Sequence, residues 1–258
     1  MNIHTYGADA RLAYCREYLF KERMNSAESI ALLPIPTSKD GKTLNGGREN
    51  LEEIVSELAL YDVVAGYDIP KSLRLALCDM GVAVVDVCRD EEYLQQNAEL
   101  TAVGTVGRIL NEEKAAPCDL SIGIIGYGRI GQRLLRLLMF LSCKVTVFTS
   151  KSEVRRELSM LGLSGADSLS LGDPEAVEKL AALDILINTA PVSLLGNGQR
   201  ERLSRARIIE LASGDNFPEG LSVERFASVP AFMYPKSAGI ALGMSVIRML
   251  GEGNSDNV

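Results

Sequence analysis

One stretch limits what this chain can fold into more than any other: SIGIIGYGRIGQRLLRLLMFLSCKVTVFTS, Ser121 to Ser150. An apolar, β-branched run meets Gly126-Tyr127-Gly128-Arg129-Ile130-Gly131, an amphipathic helical pattern follows, and a second β-branched run closes the segment. In that setting each glycine of G-x-G-x-x-G has a task. The first permits a tight turn out of the strand, the second lets backbone N–H groups approach a pyrophosphate, and the third lets helix and strand pack closely. The pyrophosphate would rest on the positive end of the helix dipole. Gly126, Tyr127, Gly128, Arg129, Ile130 and Gly131 are therefore the expected seat of a dinucleotide.

The end of the second strand selects between dinucleotides. In sites for NAD an acidic residue about 20 positions past the glycines accepts from the ribose 2′-OH. Here Thr149, Ser150 and Lys151 hold that place, with Arg155 and Arg156 one helical turn on. A carboxylate would repel a 2′-phosphate, whereas hydroxyls beside a lysine or arginine bind it. The sequence points to NADP, with NAD the weaker alternative. Further along, Asn188, Thr189, Ala190 and Pro191 end one strand, and Ala212 and Ser213 end the next. In a doubly wound sheet such carboxyl ends face the nicotinamide.

Short β-branched runs alternate with helical patterns along the rest of the chain. Strands are expected at Asn2–Tyr6, Ser29–Pro36, YDVVAG and VAVVDVC. Helices separate them over Asp9–Glu22, around Leu51, Ile54, Val55 and Leu58, and over PKSLRLALCDMG. A long helix follows over Asn97–Lys114; Pro117 punctuates, and the sheet pattern restarts near Cys118. Helices are then expected over Arg129–Ser142, Glu153–Leu161, Asp173–Leu183 and 198–205, strands at KVTVFTS, DILINTA and ARIIELAS, and an apolar helix over Ser237–Leu250. The alternation implies an α/β chain of two doubly wound parallel sheets. With 258 residues, each domain can bury a core of its own.

Composition removes several classes of function. No apolar run reaches the ~18 residues of a membrane span. MNIHTYGADARLAYC lacks the charged flank and apolar core of a signal peptide, so a cytoplasmic protein is expected. Five scattered cysteines, with no C-x-x-C pair, argue against a disulfide framework or a metal site. A net charge of -7 disfavours nucleic acid, and an anionic small ligand needs local cations. The single histidine, His4, removes the late histidine–carboxylate pair that 2-hydroxyacid dehydrogenation needs.

YGADAR (Tyr6–Arg11), NAELTAVGTV (Asn97–Val106), GYGRIG, INTAP, IIELAS and VPAFMYPKSAGIALGMSVIRML (Val229–Leu250) together resemble the dipicolinate synthase A-subunit family, over most of the chain. The resemblance implies a smaller, flavodoxin-like, substrate-side domain over 1–96, completed by a returning helix within 237–258. It implies a crossing helix and linker over 97–117 and a Rossmann NADP-binding domain over 118–236. The implied activity is NADP-linked oxidation of a dihydrodipicolinate-type intermediate to pyridine-2,6-dicarboxylate, in the cytoplasm of spore-forming bacteria. A flavoprotein-like second subunit is the implied partner. A homodimer is implied too, with Asn97–Lys114 one surface for it. A dicarboxylate substrate needs hydrogen-bond donors. Lys236, Ser237, Asn97 and Thr101 form the expected catalytic set, and Arg11, Lys39 and Lys42 the expected substrate-binding cations.

The chain departs from the family pattern at three places. Val103 stands where T-x-E-G carries glutamate, and valine neither takes a proton nor accepts a hydrogen bond. A strand–helix unit usual between the first helix and ALLPIP is missing. PAFMYPK replaces a glycine-rich approach to Pro-Lys. These departures define a second expectation: a nucleotide-binding regulatory or scaffold subunit without turnover.

Overall fold

In a computed structural model the chain forms two compact units, residues 1–97 with 230–258, and residues 98–229. Residues 1–22, 27–161, 166–191, 203 and 205–253 are described. Both units are built on parallel sheets, as the alternation of patterns implies.

The first sheet runs β1 (Asn2–Thr5), β2 (Ser29–Leu32), β3 (Val63–Gly66), β4 (Ala83–Asp86), in sequence order. Helices α1 (Ala10–Lys21), α2 (Leu51–Leu58) and α3 (Lys71–Asp79) connect the strands. Side chains alternate between the two faces of a strand. Ile30, Leu32, Val63 and Ala65 pack with α1 and with the C-terminal helix α9 (Pro235–Gly253). Ala31, Leu33 and Val64 pack on the other face with α2 and α3. All three crossovers step the same way across the sheet, yet α1 covers the face opposite α2 and α3. The α1 crossover therefore has the opposite hand from the other two, against a strong general preference for one sense. It also leaves β1 at the edge of its sheet.

Two glycines set how α9 meets α1. A Cβ on Gly239 would stand 2.4 Å from the Arg11 carbonyl oxygen, and one on Gly243 would stand 2.7 Å from Tyr18 Cδ1. The backbones touch, and the order of the contacts makes the two helices parallel. The first turn of α9 thus lies beside the first turn of α1, at the carboxyl edge of the sheet. Farther along α9, Ser245 Oγ and Arg248 Nη2 each donate to Asp90 Oδ2 at 2.6 Å. Burial pushes the Asp90 carboxyl upward, but these bonds outweigh it and hold the group below the usual carboxylate range.

Asp90 also accepts from the Glu92 N–H and opens helix α4 (Glu91–Glu112). The helix begins at Glu91 rather than Asn97, because Asp-Glu-Glu supplies a cap and an acidic first turn. Within the second unit it buries Ala98, Ala102, Val106 and Ile109. Its C-terminal turn is tied to the sheet by charge. Arg207 bonds Glu112, Glu113 and Glu224, and Arg108 bonds Glu112 and Glu224 while lying 4.7 Å over the Phe226 ring.

The second sheet contains β5 (Ser121–Ile125), β6 (Lys144–Phe148), β7 (Ala166–Leu169), β8 (Ile185–Asn188), β9 (Arg207–Glu210) and β10 (Val223–Arg225). Their order is β10-β9-β8-β5-β6-β7. This is the arrangement of two mononucleotide-binding halves, with the order reversing beside β5. Helices α5 (Arg129–Phe140), α6 (Ser152–Met160) and α7 (Pro174–Ala181) connect its strands, and a short α8 (Val229–Met233) precedes α9. The sequence pattern omits β7, β10 and α8: ADSL and VER are short, half-polar edge strands, without the apolar run that marks a buried one. The expected helix over 198–205 lies outside the described residues, except for Leu203, which is buried, and Arg205. Among the described residues, no helix is long and apolar enough to cross a membrane.

Two outcomes follow from these contacts. Gly239→Val forces a side chain into the Arg11 carbonyl and destabilises the protein by about 1–3 kcal/mol or more, read as a lower Tm. Arg207 hydrogen bonds hold the Glu224 carboxyl below its ordinary range, so their stabilisation is full above about pH 4.3 and is lost as pH falls through the folded value. Glu224→Gln is therefore less stable than the parent at pH 7, and thermal melts show the gap closing as pH falls below about 4.3.

Candidate functional site

The carboxyl ends of β5, β6, β8 and β9 carry nearly all the residues that the sequence assigns to a dinucleotide. Gly126 leaves β5 with φ +92°, a conformation that side chains disfavour. A Cβ there would lie 2.8 Å from Thr189 Oγ1 and 3.3 Å from Ala190 Cβ. A Cβ on Gly131 would lie 2.3 Å from the Gly126 carbonyl oxygen. Gly128 differs from both: nothing comes within 4 Å of where its Cβ would be. The first and third glycines are closed by protein and the second faces open space. That division matches the tasks the motif assigns them.

Gly128 is the N-cap of α5, and no side chain caps this helix. Its first turn carries no acidic residue. The first N–H groups of an α-helix point away from its own carbonyls, and the helix dipole adds partial positive charge there. Tyr127 is half-buried beside the turn, and burial pushes its hydroxyl upward.

Neighbouring strand ends are tied to this turn by backbone. Gly126 N–H donates to Phe148 O at 2.9 Å, and Thr189 donates to Ile125 O through both N–H and Oγ1. At the end of β6, Thr149 is buried while Ser150 and Lys151 are exposed. Arg155 reaches back from α6 and donates from Nη1 to Thr149 O at 2.7 Å. Ser150, Lys151 and the Arg155 guanidinium thus gather at one strand end. Lys151 occupies the N-cap of α6, where a cation is mildly unfavourable unless an anion is near.

One residue of this edge escapes the sequence reasoning. Glu210, at the end of β9, is buried and accepts from Asn188 Nδ2 at 2.9 and 3.1 Å, Ala212 N–H at 2.9 Å and Asn216 Nδ2 at 3.2 Å. Asn188 Oδ1 accepts from Ala190 N–H, and Asn216 donates to Ser213 O. A buried carboxylate is costly unless its oxygens are satisfied. Here neutral donors satisfy them, and the carboxylate joins the loops Asn188–Pro191 and Ala212–Ser213. The signal was an acidic residue closing the apolar run RIIE.

The carboxyl edge of the first sheet gathers a second group. Arg11 is buried; its Nη2 donates to Asp9 Oδ2 at 2.6 Å and to Ile35 O at 2.9 Å, and its Nε donates to Asp9. An arginine expected from sequence as a substrate cation is thus also a brace for the loops after β1 and β2. Lys236 and Ser237 are exposed on the first turn of α9, the turn that Gly239 sets against Arg11. Lys39 and Lys42 stay apart on an exposed loop organised by Asp40, which accepts from the N–H groups of Lys42 and Thr43 and from Thr43 Oγ1. Those bonds hold the Asp40 carboxyl far below its usual range. Asn97 and Thr101 sit four residues apart on one side of α4, Asn97 half-buried and Thr101 buried. Val103 is 37% exposed on the same helix.

No protein-family model and no curated protein matches the sequence. Solved structures match in shape over the whole chain. The dipicolinate synthase A-subunit from Bacillus halodurans gives a TM-score of 0.77, covering 96% of this chain and 97% of that one at 17% identity. The A chain of dipicolinate synthase from Bacillus subtilis gives 0.76, covering 100% and 98% at 18% identity. The chain has the fold of the dipicolinate synthase A-subunit. An L-alanine dehydrogenase gives 0.61, covering 98% and 90% at 14% identity. The likeness to the dipicolinate synthase fold agrees with the resemblance read from the sequence motifs, and the chemistry rests on the residues described above.

The glycines separate packing from ligand. Gly131→Ala meets the Gly126 carbonyl and lowers Tm by several degrees, whereas Gly128→Ala leaves Tm unchanged; calorimetry on the two variants checks both.

Proposed function

We propose that the protein is an NADP-linked oxidoreductase acting on a small cyclic dicarboxylate, in the manner of the dipicolinate synthase A-subunit. The observation that carries this is Gly128, open to solvent over an uncapped helix start, on a strand order that places such a turn beside the reversal point of the sheet. The N–H groups of Arg129, Ile130 and Gly131 would hold the pyrophosphate. Ser150, Lys151 and Arg155 would take the 2′-phosphate. The loops joined by Glu210 would line the nicotinamide half, through Asn188, Thr189, Ala190, Pro191, Ala212 and Ser213. When bound, the nicotinamide supplies a hydride acceptor.

The proposed reaction removes a hydride and a proton from a dihydrodipicolinate-type ring and leaves pyridine-2,6-dicarboxylate. Aromatisation makes the step downhill, so the work of the protein is to orient the ring. Two carboxylates must be held. Lys236 is the first proposed donor and Arg11 the second, with Ser237, Asn97 and Thr101 adding neutral hydrogen bonds and Lys39 and Lys42 drawing anions toward the edge. Lys236 begins α9, where a cation opposes the helix dipole unless an anion sits beside it, and this favours a ligand-binding task. A cytoplasmic setting and a flavoprotein-like second subunit complete the proposal. Val103 favours a second reading, because no acid or base stands at that position of α4. Under it the chain binds nucleotide as a regulatory or scaffold subunit.

Fluorescence titration separates the cofactors, and turnover separates the two readings. NADPH binds more tightly than NADH; Lys151→Glu weakens NADPH about tenfold or more, the scale of one charge-assisted contact. Freshly generated dihydrodipicolinate-type substrate with NADP gives the ultraviolet band of the pyridine product, and Lys236→Ala lowers kcat/KM. Tighter NADH binding contradicts the cofactor assignment. A parent that binds cofactor but gives no product band establishes the scaffold reading, and turnover that is equal in parent and Lys236→Ala removes Lys236 from the site.

A further inference from the structure

The first sheet ends at β1, and no strand lies on its far side among the described residues. Asn2 and Tyr6 donate to Glu28 O and Leu32 O on the β2 side, so the alternation turns the N–H and C=O groups of Ile3 and Thr5 outward. Sheet edges are normally blunted by a proline, a lysine or a bulge. The strand NIHT has neither proline nor lysine. Beside this edge, between β1 and α1, runs a groove of about 910 Å³ that includes Met1, Ile3, Ala13 and Phe20. Phe20 is 64% exposed.

The pattern on α1 identifies what fills the groove. Ala13, Arg16, Glu17 and Phe20 are all exposed and fall on one stripe of the helix. Opposite charges occupy the middle of the stripe, with alanine at one end and phenylalanine at the other. Neither Arg16 nor Glu17 has an ion-pair partner among the described residues. Turned through a twofold axis, the stripe complements itself. Phe20 meets Ala13 of the second copy and Arg16 meets Glu17 of the second copy, each pair occurring twice. The same rotation sets the outward groups of β1 against an antiparallel second β1, the isologous arrangement of a twofold dimer.

We infer that β1 and the Ala13–Phe20 stripe of α1 form the interface of a homodimer in which two four-stranded sheets join edge to edge. The inference needs no bound cofactor and is independent of the proposed reaction. Sedimentation velocity across the micromolar range tests it. The parent protein sediments as a dimer with a Tm that rises with concentration, and Phe20→Glu shifts it to a monomer with the parent's far-ultraviolet circular dichroism and a Tm independent of concentration. The same change at Phe140, 88% exposed on the second unit, leaves the dimer intact. Arg16→Glu and Glu17→Arg each weaken association about tenfold or more, because like charges then meet across the axis. The double variant R16E/E17R restores opposite charges on both copies and returns to within about threefold of the parent. A parent that stays monomeric, a dimer that survives Phe20→Glu, or a double variant no tighter than the single ones overturns the inference.

Discussion

Close packing of a helix start on the end of a strand leaves little room for a side chain on the inner face of its first turn. At residue 131 the space for a Cβ is already held by the Gly126 carbonyl oxygen, 2.3 Å away. That contact presses α5 onto the turn after β5, and the rest of the edge is built around it. Thr189 and Ala190 close over Gly126, the end of β6 receives the Gly126 N–H, and Gly128 is left facing outward. The open position above an uncapped helix start is thus a consequence of packing, and it has the character of an anion seat.

Carboxylates do the positioning in both units. Glu210 joins the loops after β8 and β9, and Asp9 orients Arg11 between the loops after β1 and β2. The buried Asp86 carboxylate accepts from the N–H groups of Asp68 and Ile69 and fixes the loop after β3. In each case a loop at a carboxyl strand edge acquires a defined shape from one acidic side chain with its oxygens satisfied. The proposed ligand cations Lys151 and Lys236 lie outside these networks, exposed at helix starts.

Much of this was legible in the sequence because it depends on local pattern. The strand–glycine–helix segment, the alternation of elements and the cluster at Thr149–Arg155 follow from periodicity and spacing, and the structure brings them together. What was not legible depends on long-range packing. The short edge strands ADSL and VER owe their conformation to neighbours rather than to their own apolar content. Nothing local in α1 announces that it covers the face opposite α2 and α3. Glu210 lies within the run ARIIELAS with no task that its spacing assigns, and only the fold reveals two asparagines and a backbone N–H converging on it. Arg11 read as a substrate cation on the first helix; the Asp9 that engages it was two positions away, and the Ile35 carbonyl could not be seen from spacing.

The claim on which the account rests is that a nicotinamide dinucleotide lies across Gly128. A crystal structure determined after soaking with NADPH tests it most directly. The account predicts a diphosphate within hydrogen-bonding distance of the Arg129, Ile130 and Gly131 N–H groups, with the 2′-phosphate against Ser150, Lys151 or Arg155. A saturating soak that leaves the surface above Gly128 covered by the protein's own side chains, or the dinucleotide bound elsewhere, contradicts it.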